Sequence, residues 1–86
     1  MADPRLSYIP QLANEPEYVQ IAIVQAGRRI LKRYDNHWLL ATMQEDGYYI
    51  LVIEQGMPAT LPCAVYSVVP QAGAGKPEVK EVFSRQ

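Results

Sequence analysis

Apolar and polar positions are most informative between Trp38 and Gln55, where WLLATMQEDGYYILVIEQ sets two apolar runs on either side of a polar turn. Glu45-Asp46-Gly47 fits a three-residue hairpin loop, a type I turn closed by a left-handed residue that glycine adopts without steric cost. In that register Gln44 pairs with Tyr48. One face then collects Leu39, Ala41, Met43, Tyr49, Leu51 and Ile53, and the other collects Trp38, Leu40, Thr42, Tyr48, Ile50 and Val52. Both faces are largely apolar, whereas a sheet with one solvated face alternates apolar and polar residues. The hairpin is therefore expected to be covered on both sides. A one-residue change of register reshuffles the faces but leaves both apolar.

Upstream, Asn14-Glu15-Pro16-Glu17 reads as a helix start: Asn14 can cap, Pro16 is tolerated in the first turn, and Glu17 holds the capping-box position. Val19, Ala22, Ile23, Ala26, Ile30 and Tyr34 follow at helical spacing, with Glu17, Gln25, Arg28 and Lys32 opposite. Acidic residues at the start and basic residues at the end suit the helix dipole, and Asp35-Asn36 would stop the helix. Gly27 costs it about 1 kcal/mol relative to alanine. Val19, Ile21 and Ile23 also alternate, and Ala26-Gly27 could turn one strand into another, so an all-β reading stands as the alternative.

The remaining segments are short. Residues 1–13 mix prolines with Leu6, Tyr8, Ile9 and Leu12 and are expected to form an extended arm across the domain. After the hairpin, Pro58 and Pro62 exclude a helix, and Cys63 to Val69 reads as a third strand ending at Pro70. Residues 71–77, QAGAGKP, have the composition of a flexible linker. Glu78 to Gln86 carries Val79, Val82 and Phe83 as a short edge strand or a docked turn. The fold class expected is α+β, with all-β as the alternative: one helix over about residues 15–34, packed on an antiparallel sheet of three strands, about 38–44, 48–55 and 63–69, or of four if 78–83 joins it.

Composition limits the function classes. Eighty-six residues form one domain, which buries only about 60–65% of the surface of its unfolded chain. A hydrophobic content of 49%, a charged content of 20% and no biased tract indicate a globular chain. The net charge of -1 argues against general nucleic-acid binding. A single cysteine excludes an internal disulfide, the N-terminus has no signal-peptide pattern, and no apolar run approaches the ~20 residues of a membrane span. The chain reads as cytoplasmic, with no membrane partner.

Candidate chemistry is sparse. His37 and Cys63, the only histidine and cysteine, would have to supply any thiol–imidazole dyad; a lone strand cysteine more often acts as a small hydrophobe, and a histidine beside a turn is usually solvated. Two such ligands fall short of the four of a structural zinc site, so no metal or other cofactor is expected. Asp35, Glu45, Asp46 and Glu54 lie at turns and strand ends, and no pair marks itself as acid and base. Gly73-Ala74-Gly75-Lys76 lacks the glycine spacing of a phosphate loop, and Pro77 stands at its Ser/Thr position. Arg28, Arg29, Lys32 and Arg33, with Tyr34 and Trp38 nearby, could contact an anion or nucleic acid, although cations also collect at a helix end for dipole reasons. From Ile21 to Leu40, the order of apolar strand, Ala-Gly turn and Ile30-Leu31 resembles the opening of a Nudix hydrolase. That family's glutamate-rich metal-binding helix has no counterpart downstream, so the resemblance implies no activity.

The tyrosines and Trp38 suit an interface better than a pocket, since one helix over three strands leaves little enclosed room. The functional expectation is a non-enzymatic interaction protein that forms a homodimer through Trp38, Leu40, Tyr48, Ile50 and Val52 and binds an unidentified protein partner. The alternative is a ligand- or nucleic-acid-binding domain using the basic helix end. An enzyme built on Cys63 and His37 comes third.

Overall fold

The computed structural model describes residues 4–73 and 75–85. The first three residues of the expected arm, Ala74 of the linker and the terminal Gln86 lie outside the described residues. In chain order the elements are β1 (Leu6–Tyr8), a 3-10 turn (Pro10–Asn14), α1 (Glu17–Arg33), β2 (His37–Gln44), β3 (Gly47–Glu54), β4 (Ala64–Val69) and β5 (Glu78–Ser84). The strands form one sheet in the order β1-β2-β3-β4-β5. The fold is α+β, as the sequence leads one to expect.

The arm is the main departure. Rather than lying across the domain, Leu6–Tyr8 adds a strand to the sheet edge, parallel to β2 with Leu6 opposite Leu39 and Tyr8 opposite Ala41. The sheet is therefore five-stranded and mixed, not antiparallel with three or four strands. Parallel neighbours need a crossover, and the 3-10 turn plus α1 supply it. Leu6 and Leu12, the apolar residues that make the arm too hydrophobic for a free tail, are both buried in the core. Arg5 ties the arm down at its other end, donating to the Asp35 carbonyl and lying 3.4 Å from its carboxylate.

The helix starts two residues later than its caps imply. Pro16 is the N-cap residue and no side chain caps the end; Asn14 belongs to the preceding 3-10 turn. Gln20 Nε2 instead donates back to the carbonyls of Ala13 and Glu15, at 3.3 and 2.9 Å, joining the two helical pieces. The apolar stripe itself is as the spacing requires, since Val19, Ala22, Ile23, Ala26 and Ile30 are buried while Arg28 and Lys32 are exposed. A helix across Ile21 removes the strand on which the Nudix resemblance rested, and with it the all-β alternative.

The hairpin loop is shorter than expected. Gln44 pairs with Gly47, not with Tyr48, leaving Glu45 and Asp46 as the turn. Gly47 does take a positive φ, +146°, but it does so inside the ladder as the first residue of β3. Because side chains alternate along a strand, this shift turns β3 over relative to β2. Leu39 and Ala41 share a face with Val52 and Ile50; Trp38 and Leu40 share the other with Ile53 and Leu51. Continuing through β4, the first face adds Ala64, Tyr66 and Val68, all buried with α1 and Leu12 in one core. β5 pairs with β4 through a bulge in which Val82 is the extra residue, between Glu81 opposite Tyr66 and Phe83 opposite Val65.

Candidate functional site

The second sheet face carries a continuous apolar row. Leu40, Leu51, Val65 and Phe83 stand opposite one another across β2, β3, β4 and β5, and Trp38 and Ile53 form the next row. Trp38 is 45% and Phe83 48% exposed; Leu40, Leu51 and Val65 are half-buried, and of these six residues Ile53 alone is buried. The following row, Thr42, Tyr49, Ser67 and Lys80, is polar. The helix, the 3-10 turn and the core all lie on the opposite face.

Of the interface residues read from the sequence, Trp38 and Leu40 lie on this open face. Tyr48, Ile50 and Val52 do not: Ile50 and Val52 are fully buried on the helix side, and the Tyr48 hydroxyl donates to the Glu15 carboxylate. The register shift explains the exchange, and it places Leu51 and Ile53 where Ile50 and Val52 were expected. Val65 and Phe83 were missed because sequence alone did not pair the third strand with the last. The alternation of Val65, Ser67 and Val69 against Ala64, Tyr66 and Val68 was the available signal.

Arg28, Arg29, Lys32 and Arg33 are exposed along the last turns of α1. Arg28 and Arg29 share a concavity of about 400 Å³ with Gln25, Lys76 and Pro77, so the linker brings a third cation to two of the four. Tyr34 turns away from them: as the C-cap residue it packs edge-on against His37 and Tyr66, at ring separations of 5.2 and 6.3 Å. A larger groove of about 530 Å³ runs between the arm and α1, lined by Tyr8, Ile9, Leu12, Ile21, Val24 and Arg28 among others. The expectation of no room for a pocket is corrected here, because the wall is supplied by the arm rather than by the sheet. Burial pushes the Tyr8 hydroxyl up, opposed by the charge of Arg28.

A third constellation sits at one end of the sheet. His37 opens β2, Glu54 closes β3 directly opposite it, and Cys63 leads into β4, held by a 2.8 Å bond from its N–H to the Val52 carbonyl. Strand pairing thus gathers three chemically distinct donors. A ring nitrogen of His37, the Cys63 sulfur and a Glu54 carboxylate oxygen lie within 4.8 Å of one another. His37 and Cys63 are thus neighbours, but a bound of 4.8 Å is looser than the ~3 Å contact that a dyad requires. Burial and the Glu54 carboxylate also push the Cys63 thiol up, with the Arg85 charge opposing, which is the reverse of what a nucleophilic cysteine needs. His37 is half-buried rather than solvated, and its Nδ1 is sealed from solvent with no hydrogen-bond partner among the described residues. The sequence count of ligands passed over Glu54 because nothing but the register of β2 and β3 places it opposite His37.

Comparison with known proteins finds no family model, no curated relative and no solved structure that matches this chain. Among the described residues, no helix is long and apolar enough to cross a membrane.

Proposed function

We propose that this chain is a small, non-enzymatic, cytoplasmic interaction module that pairs with a second copy of itself through the open sheet face and, in that form, binds another macromolecule. The observation carrying this reading is the row Leu40–Leu51–Val65–Phe83 with Trp38 and Ile53 beside it, on a face turned away from helix and core. Contiguous exposed apolar patches larger than a few hundred Å² mark interaction surfaces. The area supports a second copy as occupant. The chain exposes 5636 Å², whereas a monomer of 9.7 kDa is expected to expose about 5,100 Å². The surplus, roughly 500 Å², is of the same order as one face of a sheet about 24 Å wide and at most ~20 Å long. Two such faces bury about 1,000 Å², at the low end of the area that specific dimers bury. Face-to-face packing of the sheets at about 10 Å would make a two-fold sandwich. Sedimentation equilibrium tests this: a dimer mass at tens of micromolar is expected, and a monomer mass throughout sinks the proposal.

The concavity of Arg28, Arg29 and Lys76 favours a second reading, in which the domain holds an anionic ligand or nucleic acid. Three cations converge there from two separate segments, and helix-dipole compensation does not account for Lys76, which lies outside the helix. Retention on a polyanion column that falls steeply with salt, and is lost in Arg29→Glu with Lys76→Glu, is the expected signature. Unchanged retention of that variant removes this reading and leaves the first intact.

A further inference from the structure

We propose that His37, Glu54 and Cys63 form a binding site for a divalent transition-metal ion of the zinc class. Three observations on geometry carry it. The three donor atoms lie within 4.8 Å of one another, while ligands on a tetrahedral zinc, with bonds of about 2.0–2.3 Å, stand roughly 3.3–3.8 Å apart. Small rotations close that gap, and Glu54, exposed on the last residue of its strand, has room to make them. The backbone beneath is fixed: His37 and Glu54 face each other across the β2–β3 ladder, and Cys63 is pinned on both sides, its N–H to the Val52 carbonyl and its carbonyl to the Arg85 N–H, each at 2.8 Å. Finally, His37 Nδ1 is buried with no hydrogen-bond partner among the described residues, a costly state that coordination through this nitrogen relieves.

The donor set selects the ion. Imidazole and thiolate suit zinc, copper and cobalt, while magnesium and calcium demand oxygen donors. Binding replaces the thiol proton by the metal: the S–H bond breaks, a metal–sulfur bond forms, and one proton leaves to solvent. Cys63 thiolate and Glu54 carboxylate then offset the two positive charges, and neutral His37 adds none. The half-buried ring and sulfur are left with no net charge to desolvate, which favours a doubly charged ion over a singly charged one. Three protein ligands leave a fourth position open, as in exchangeable rather than closed structural zinc sites. The proposal is independent of the dimer, since the open face is the other side of the sheet.

Cobalt(II) titration of the full chain tests it, because thiolate coordination gives a near-ultraviolet sulfur-to-metal charge-transfer band and tetrahedral geometry gives strong visible bands. One equivalent per chain is expected, displaced by zinc and insensitive to excess magnesium. Glu54→Gln, at an exposed position, should keep the native circular dichroism and weaken binding by at least ~10-fold; Cys63→Ser should abolish the charge-transfer band. Should Cys63→Ser fail to fold, the wild-type chain still decides: zinc should protect Cys63 from iodoacetamide and magnesium should not. Absence of both the charge-transfer band and zinc protection at millimolar metal overturns the site, as does cobalt binding that Glu54→Gln leaves unchanged.

Discussion

The Tyr48 hydroxyl donates a hydrogen bond to the carboxylate of Glu15, a residue 33 positions earlier. It fastens the start of β3 to the segment that leads into α1, beside the core on which helix and sheet meet. The same bond, more than burial, pushes the Tyr48 hydroxyl up to about 12, because ionising it would place a phenolate against a carboxylate. The folded chain thus holds this proton more tightly than the unfolded chain, whose tyrosine titrates near 10.0. Its contribution is complete below pH 10 and is lost as pH rises from about 10 toward 12. Tyr48→Phe is expected to cost about 1 kcal/mol at neutral pH. It should also flatten the alkaline fall in melting temperature relative to wild type. Tyr66, also raised by burial and by its 2.8 Å bond to Glu81, remains in both proteins, so the difference between the two melting curves isolates Tyr48.

Gly27 lies in the middle of α1, where glycine weakens a helix, and its place is explained by the arm. A Cβ built there would stand 2.9 Å from Leu6 Cδ2, so the bare backbone is what lets β1 lie against the helix. Gly27→Ala should change stability by less than about 1 kcal/mol, since the gain in helix propensity is offset by displacing the end of a flexible side chain. Gly27→Val has no such compensation and should drive Leu6 from the core, lowering the urea midpoint and raising hydrogen exchange in residues 6–8.

Gly47 offers the opposite case. A Cβ there would meet nothing within 4 Å, so the cost of a side chain is the backbone alone, held at φ +146°. Gly47→Ala is expected to destabilise by about 1–3 kcal/mol with an unchanged denaturant slope. A loss well below that range would mean the turn relaxes into the three-residue loop.

Much of this architecture can be read from the residues; what cannot depends on strand register or on contacts distant in sequence. The buried stripe from Val19 to Ile30, the glycine at the turn and the strands flanking it follow from local periodicity and backbone sterics. The face each β3 residue occupies does not, because side chains alternate with period two and one residue of loop length inverts them all. Ile50, Val52 and Tyr48 were for that reason assigned to the wrong side, and Glu54 was not seen opposite His37. The arm was legible as too apolar to be free, but its pairing with β2 is a long-range contact that Leu6 and Tyr8 cannot announce by themselves. The basic helix end was legible as a cluster; that Lys76 joins it, and that Tyr34 leaves it for His37, depends on tertiary placement.

The pairing of β2 with β3 and the proposed dimer can be tested together with one charge moved by one residue. Ile50 is fully buried between sheet and helix, so Ile50→Glu would place a carboxylate without a partner in the core and should unfold the domain, seen as loss of the native circular dichroism. Leu51 is half-buried on the open face opposite Leu40 and Val65, and Leu51→Glu can keep its charge in water in a monomer. It should remain folded with a native spectrum and sediment as a monomer, because in a face-to-face pair two such carboxylates would be brought together and desolvated. Leu40→Glu, in the same row, should behave alike. A three-residue loop would interchange the outcomes at positions 50 and 51. If Leu51→Glu folds and stays dimeric, the sheet register holds and the dimer must use another surface.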